Sequence, residues 1–156
     1  LWRWKMPESR EILAGTNFTD ASRFGFKELS RLIKDFESAK FRRDRIADGK
    51  IVRSVWQGII RELATLAEKV SFDDTRAMAV NSPHMFASEL GNYLVKDMDA
   101  QVAVIWHVVS GETRVSLRSD GKIDVSKMAV KYGGGGHKAA AGFILQKGKP
   151  FPWKSR

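Results

Sequence analysis

A run of four glycines, from Gly133 to Gly136, is followed at once by His137 and Lys138. Glycine exposes its backbone N–H groups and adopts backbone angles that other residues avoid, so such a run can form a concave set of amide donors. The side chains of His137 and Lys138 add donors at the same point. This composition predicts a site for an oxyanion such as a phosphate, built from Gly133, Gly134, Gly135, Gly136, His137 and Lys138.

The residues on either side of the glycine run favour a tight functional loop over a flexible linker. Glycine linkers usually have polar flanks, whereas this run lies between the apolar residues around 128–132 and the apolar stretch 139–145. The three alanines after Lys138 also predict a short helix. The N-terminus of that helix would direct its partial positive charge at the bound anion.

A second candidate contact for the anion lies upstream, where a predicted strand ends. Residues 113–119 alternate, with Val115 and Leu117 on one face and Arg114, Ser116 and Arg118 on the other. Arg118 and Ser119 precede an Asp-Gly turn, and ligands of α/β sheets tend to bind outside strand ends. A guanidinium can hold a phosphate through two hydrogen bonds, and a hydroxyl can add one more. From position alone, an arginine exposed on a sheet face is the simpler interpretation of Arg118.

The rest of the sequence contains no other convincing constellation of catalytic or metal-binding residues. The carboxylate pairs Asp73–Asp74 and Asp97–Asp99 fall in predicted turns, with no histidine at ligand spacing. His84 and His107 are expected to be isolated from other candidate groups. The sequence therefore predicts no catalytic residue and no metal site in this chain. Unlike His84 and His107, His137 lies next to other candidate ligand-binding residues.

Composition bounds the class of protein and its partners. The chain has 156 residues, of which 43% are hydrophobic and 29% charged, as is ordinary for a soluble globular protein with a real core. No apolar stretch approaches the length of a membrane span, so no membrane partner is expected. The absence of cysteine is compatible with a reducing compartment, and the cytoplasm is the expected location. A net charge of +9, with seven basic and no acidic residues after Asp124, predicts an acidic partner.

The elements that would position these residues change character near the middle of the chain. Asp20 is a candidate N-cap for a helix to about residue 36, and apolar residues repeat at helical spacing from Val52 to Val70. That second stripe is either a core face or a dimer surface, so a homodimer stays open. Predicted strands and helices then alternate, with strands at 76–80, 102–109, 113–119 and 142–145 and helices at 85–96 and 125–132. The pattern predicts an α/β fold, in which a helical connector is followed by a mixed β-sheet flanked by helices.

The segment Gly-Gly-Gly-Gly-His-Lys-x-Ala-Ala-Gly-Phe at 133–143 resembles the signature of the DHH-associated C-terminal domain of DHH phosphoesterases. The likeness is to the branch of oligoribonucleases and exopolyphosphatases. Further similar segments follow the family order at 79–91, 115–119 and 125–132, and residues 1–4 and 7–10 resemble the connector after the DHH catalytic domain. The resemblance implies three parts: a helical connector at 1–70, a substrate-binding domain at 71–146 and a basic tail at 147–156.

The resemblance also implies a division of labour. In such enzymes an N-terminal DHH domain binds two manganese ions, while Arg118, Ser119, the glycine loop and His137 match positions that hold the substrate. Since these residues contain no Asp-His-His motif and open without Met, we expect the C-terminal part of a larger phosphoesterase, inactive alone and without a cofactor of its own. Its expected partner is a short single-stranded nucleic acid or a nucleotide phosphate.

Two alternatives to a substrate-binding part stay open. One is a non-catalytic nucleic-acid-binding module, since a similar domain is appended to alanyl-tRNA synthetases. The other is a purely structural role, in which the helical half serves as a dimerisation arm and the glycine loop only packs.

Overall fold

A computed structural model describes residues 8–15 and 26–156 of the chain. Its helices in the first half are α1 (Ser9–Gly15), α2 (Phe26–Asp35) and α3 (Ala39–Thr65). The predicted helical character of this half is confirmed. The predicted cap at Asp20 and the predicted connector residues 1–7 lie outside the described residues. The chain divides into two compact units between Gly58 and Ile59.

The first unit joins α1 to the N-terminal part of α3 at a glycine. A Cβ atom on Gly49 would overlap the carbonyl oxygen of Glu11, so only glycine allows the two backbones to approach this closely. One turn further along α3, the Arg53 Nε atom lies 3.0 Å from the Glu11 carboxylate. The close approach explains why a residue that weakens helices stands inside α3.

The second unit contains a seven-stranded mixed sheet with the strand order β5-β6-β4-β3-β2-β1-β7. Strands β2 and β3 run parallel and the other neighbours run antiparallel. The predicted α/β class is therefore confirmed. The strands are β1 (Glu68–Phe72), β2 (Thr75–Asn81), β3 (Val102–Val109), β4 (Glu112–Arg118), β5 (Gly135–His137), β6 (Ala140–Leu145) and β7 (Trp153–Ser155).

Two helices of this unit cover opposite faces of the sheet. Helix α4 (Ala87–Lys96) follows a 3-10 turn at His84–Phe86 and packs with the end of α3 on β2 and β3. Helix α5 (Val125–Val130) covers the other face, where it buries the side chains that β4 and β6 direct towards it. Asp124 caps α5 as predicted, since its carboxylate accepts a hydrogen bond from the Ser126 N–H at 3.1 Å.

Two strands differ from the sequence-based expectation. The helical stripe predicted up to Val70 ends earlier, because α3 stops at Thr65 and β1 begins at Glu68. The predicted basic tail at 147–156 is not separate from the sheet, because its residues 153–155 pair with β1 as strand β7. The prediction followed the lysines of this segment and gave no weight to its aromatic residues. The Trp153 ring packs edge-on against the fully buried Phe72 ring, with the centroids 6.1 Å apart.

Among the described residues, none of the helices combines the length and the apolar character that crossing a membrane would require.

Candidate anion-binding site

Strand pairing brings Arg118 and His137 onto one face of the sheet. Arg118 pairs with Ala140, and Ala140 pairs with His137, so the three form one cross-strand row. Directly paired residues point their side chains to the same side. With neighbouring strands ~4.8 Å apart, the Cα atoms of Arg118 and His137 lie about 10 Å from each other. We call the side that carries this row the α4 face.

The surface between these two side chains is lined by small residues. The adjacent row of the α4 face consists of Ser116, Gly142 and Gly135. Ala140 and Gly142 are half-buried, while Gly135 and His137 are exposed. Small residues therefore line the space between a guanidinium and an imidazole, and a ligand can approach the backbone there.

Arg118 is held in place by hydrogen bonds to uncharged groups. Its Nη2 atom donates to the Ser88 hydroxyl of α4 and its Nη1 atom to the Leu117 carbonyl, both at 2.9 Å. Within residues 8–15 and 26–156, the ion pairs join other side chains and no carboxylate pairs with Arg118. Burial lowers the pKa of Arg118 below its ordinary value, but a guanidinium stays protonated in proteins. A fixed cation in this setting favours an anionic ligand.

Helix α4 makes room for the stem of Arg118 through a buried glycine. A Cβ atom on Gly91 would lie 2.6 Å from the Arg118 Cγ atom and 2.9 Å from the Ile105 Cδ1 atom. Gly91 and Ser88, three residues apart on α4, therefore position the two ends of the arginine side chain. Both residues belong to the segment 79–91 that resembles the family, but its spacing alone did not reveal their contact with Arg118.

The short helix predicted after the glycine run is wrong. Lys138 and Ala139 form the turn of a β-hairpin, and Ala140 continues into β6. The backbone ladder with β4 overrides the helix propensity of alanine. The turn is further fixed because its two carbonyls accept hydrogen bonds from the N–H groups of Val125 and Ser119, at 3.0 and 3.1 Å. The predicted dipole of a helix N-terminus is therefore not part of the site.

The first two glycines use their amide donors inside the fold. The N–H groups of Gly133 and Gly134 donate to the carbonyls of Val130 and Ala129, both at 3.0 Å, and Gly133 has a φ of 75°. This is the Schellman arrangement that ends helices. Gly133 and Gly134 therefore do not offer the exposed N–H groups that the sequence predicted for them.

The other two glycines of the run differ from each other. A Cβ atom on Gly136 would lie 2.5 Å from the Ala141 Cα atom, and its φ of 142° also excludes ordinary side chains. Gly135 has no positive φ, and a Cβ atom there would meet nothing within 4 Å. The backbone conformation thus requires glycine at position 136. At position 135 the fold does not require glycine, and the lack of a side chain there keeps the surface beside His137 open.

Ser119 and Lys138 contribute differently from Arg118 and His137. Ser119 is buried, and its hydroxyl donates to the Ile123 carbonyl at 2.7 Å and accepts from the Gly121 N–H at 3.2 Å. Its hydroxyl proton is therefore used to shape the loop after β4, and the predicted bond to a phosphate has no donor in this arrangement. Lys138 is exposed at the hairpin turn, next to His137.

A pair of histidines that the sequence placed apart is brought together by the fold. The rings of His84 and His107 lie 5.5 Å apart, centroid to centroid, in an edge-to-face arrangement. The prediction that they are isolated is wrong. Because the two residues are 23 positions apart in the chain, only the packing of the 3-10 turn against β3 reveals the contact.

The manganese implied by the resemblance finds no fitting donor set here. In the described parts of the chain, no group of three or more His, Cys, Asp or Glu side chains is placed to hold a metal ion. No step of a metal-assisted reaction is therefore assigned to these residues.

Comparison with known proteins gives the site its context. Residues 84–151 match the model of the DHHA1 domain. Over 58 residues, 36% of this chain, the sequence is 48% identical to oligoribonuclease NrnB of Bacillus subtilis (strain 168). The matched segment spans only 14% of that protein's length.

Two solved structures show the same fold at low sequence identity. One is the DHH domain of a member of the s1p family of ribosomal proteins, with a TM-score of 0.56 and 14% identity over 88% of this chain and 37% of that one. The other is exonuclease RecJ bound to manganese, with a TM-score of 0.52 and 17% identity over 88% of this chain and 35% of that one. Arg118, the glycine run and His137 all lie in the segment that matches the DHHA1 domain, and this match supports the predicted resemblance to the DHH-associated C-terminal domain of DHH phosphoesterases.

Proposed function

We propose that Ile59–Arg156 binds the phosphate groups of short single-stranded oligonucleotides as the substrate-holding part of a DHH phosphoesterase. The observation that carries the proposal is the row formed by Arg118, Ala140 and His137 on the α4 face. Hydrolysis itself would be performed by a manganese-binding DHH domain outside these 156 residues. The identity with an oligoribonuclease over 58 residues supports an oligonucleotide as the ligand.

Each residue of the row has a separate part in this binding. The Arg118 guanidinium, held by Ser88 and the Leu117 carbonyl, directs its charge at the non-bridging oxygens of one phosphate. The exposed His137 donates a hydrogen bond to the same phosphate from the opposite side. Ala140, Gly142 and Gly135 let the sugar–phosphate backbone come close, and the surrounding lysines raise the local concentration of polyanions.

A non-catalytic nucleic-acid-binding module is the second candidate, favoured by the net charge of +9. The two candidates differ in ligand length. A module that binds long RNA through many lysines should gain affinity steadily with RNA length and lose it steeply with salt. A substrate-holding domain should reach its full affinity with an RNA of a few nucleotides.

Fluorescence anisotropy with a 3′-labelled RNA pentamer tests the proposal on this chain. We expect Arg118→Ala and His137→Ala each to weaken binding by about fivefold or more, as for the loss of a charge-assisted hydrogen bond. Lys127→Ala is the matched control, because it also removes one positive charge but lies exposed on α5, against the opposite face. Wild-type affinity in both site variants would reject the site.

A further inference from the structure

Strand β4 carries basic side chains at both ends of the α4 face. Arg114 lies four residues before Arg118 on the same side of the strand, with Ser116 between them. At ~3.4 Å per residue, the two arginine Cα atoms are about 14 Å apart. The face therefore presents two separate positive positions, one at each end of a polar strip.

Two histidines gather around the Arg114 end of this strip. His107 of β3 pairs directly with Arg114 of β4, so their side chains are neighbours on the α4 face. The His84 ring lies 5.5 Å from the His107 ring. His84 and Arg114 are exposed and His107 is half-buried, so a ligand can reach all three side chains.

In the part of the chain that the structure describes, no ion pair neutralises this cluster. The pKa of His107 is lowered, first by burial and then by the nearby positive charges of His84 and Arg114. Glu112 lies on the same face two residues along β4, but it forms no ion pair with Arg114 among the described residues. An anion bound between these groups would favour their protonated forms.

We propose that His84, His107 and Arg114 form a second phosphate subsite, so that an oligonucleotide strand lies along β4 with one phosphate at each end of the strip. The inference rests on the proposed function and makes it more specific. A nucleoside monophosphate carries one phosphate and cannot occupy two positions whose Cα atoms are about 14 Å apart, so the ligand class is a strand with at least two phosphates.

The ratio of two affinities tests the second subsite. Anisotropy gives the affinity for the labelled RNA pentamer, and displacement of that pentamer by adenosine 5′-monophosphate gives the affinity for one nucleotide. We expect Arg114→Ala and His107→Gln to weaken pentamer binding about five- to tenfold and to leave the mononucleotide affinity unchanged. Arg118→Ala should weaken both. The slope of log K against log salt for the pentamer should become shallower by about 0.7 for each phosphate that a substitution leaves unbound.

Several results would overturn the second subsite. One is an equal loss for both ligands in Arg114→Ala, and another is a loss no larger than that of the Lys127→Ala control. Urea unfolding midpoints identify any variant that has lost its fold, and His84→Gln, at an exposed position, then replaces it in the comparison.

A measurement without nucleotides separates this inference from the proposed function. The chain has three histidines, so His137→Gln leaves only the NMR signals of the His84 and His107 imidazoles. Titration with inorganic pyrophosphate should shift both signals, and Arg114→Ala should abolish the shift. Shifts without any pentamer binding would support the subsite and reject the oligonucleotide function. An unshifted spectrum would reject the subsite while leaving the row of Arg118 and His137 intact.

Discussion

Arg118 and His137 occupy one cross-strand row of the sheet, with only Ala140 between them. They are 19 positions apart in the chain, yet pairing of β4, β6 and β5 sets their spacing through the backbone. Because rigid strands carry both donors, little conformational freedom would be lost if they bound a ligand together. In the proposed site, this spacing would let an exposed hairpin residue and a half-buried arginine contact one phosphate.

Ser119→Ala separates a structural role from a ligand contact. The Ser119 hydroxyl is buried and bonded to the Ile123 carbonyl and the Gly121 N–H. Its removal should lower the free energy of unfolding by about 1 kcal/mol, because two partly buried backbone groups lose their hydrogen-bond partner. Urea denaturation measures this loss. The pentamer affinity of the folded variant should match wild type, whereas a fivefold loss would restore Ser119 as a phosphate ligand.

Two neighbouring glycine substitutions should differ in their effect on stability. Gly135→Val places a side chain where nothing lies within 4 Å, so the fold should tolerate it while the open surface beside His137 is filled. We expect an almost unchanged unfolding midpoint and at least a fivefold weaker pentamer affinity.

Gly136→Ala is the matched comparison for Gly135→Val. It combines a φ of 142° with a 2.5 Å approach to the Ala141 backbone, so it should destabilise the hairpin by about 1–3 kcal/mol. Thermal melts of both variants, recorded beside the binding curves, provide the measurement. Equal stability losses in the two variants would contradict this account of the glycine run.

Trp153→Ala tests whether the C-terminal segment belongs to the folded domain. Trp153 packs against Phe72 and stacks on Phe151, with ring centroids 4.6 Å apart in the second contact. Because Trp153 is only partly buried, we expect a loss of about 2 kcal/mol, below the range for a fully buried tryptophan. Equilibrium unfolding in urea gives the value. A loss near zero would instead indicate that the predicted basic tail at 147–156 contributes nothing to the folded domain.

His107 should make the free energy of unfolding decrease as the pH falls below about 6.5. Burial, with the charges of His84 and Arg114, lowers its folded-state pKa below the ordinary 6.5. Just below pH 6.5 the unfolded chain then binds more protons at this site than the folded chain, so stability rises with pH there and falls on acidification.

Unfolding free energies of wild type and His107→Gln at several pH values between 5 and 8 check this direction. The variant should show a flatter profile across the interval below pH 6.5. His84→Gln should flatten it partly, because it removes one of the charges that act on His107. A steeper profile in His107→Gln would contradict the assignment.

The sequence predicted the sheet better than the hairpin that carries the site. Alternation along β4 correctly placed Val115 and Leu117 in the core and Arg118 on the other face. This prediction succeeds because successive side chains of a strand point to opposite faces of the sheet. The alanines after Lys138 predict a helix because alanine favours helices in isolation, while pairing with β4 decides their conformation.

Parts of the candidate site depended on contacts that no local pattern encodes. The hydrogen bond from Arg118 to Ser88 spans 30 residues, and the pair of His84 and His107 spans 23 positions. The glycine run predicted exposed amides for a ligand, but the amides of Gly133 and Gly134 close α5 instead. Residue types thus revealed where chemistry could occur, and only tertiary packing decided which atoms stay available.

Gly91 has a consequence for how this domain tolerates change. Within α4, alanine would favour the helix by about 1 kcal/mol over glycine, yet its methyl group would collide with the Arg118 stem. Replacing Gly91 by alanine would therefore favour the helix but force the Arg118 side chain to move. A buried, uncharged position behind the proposed site would thereby affect the affinity of the domain for the proposed polyanionic ligand.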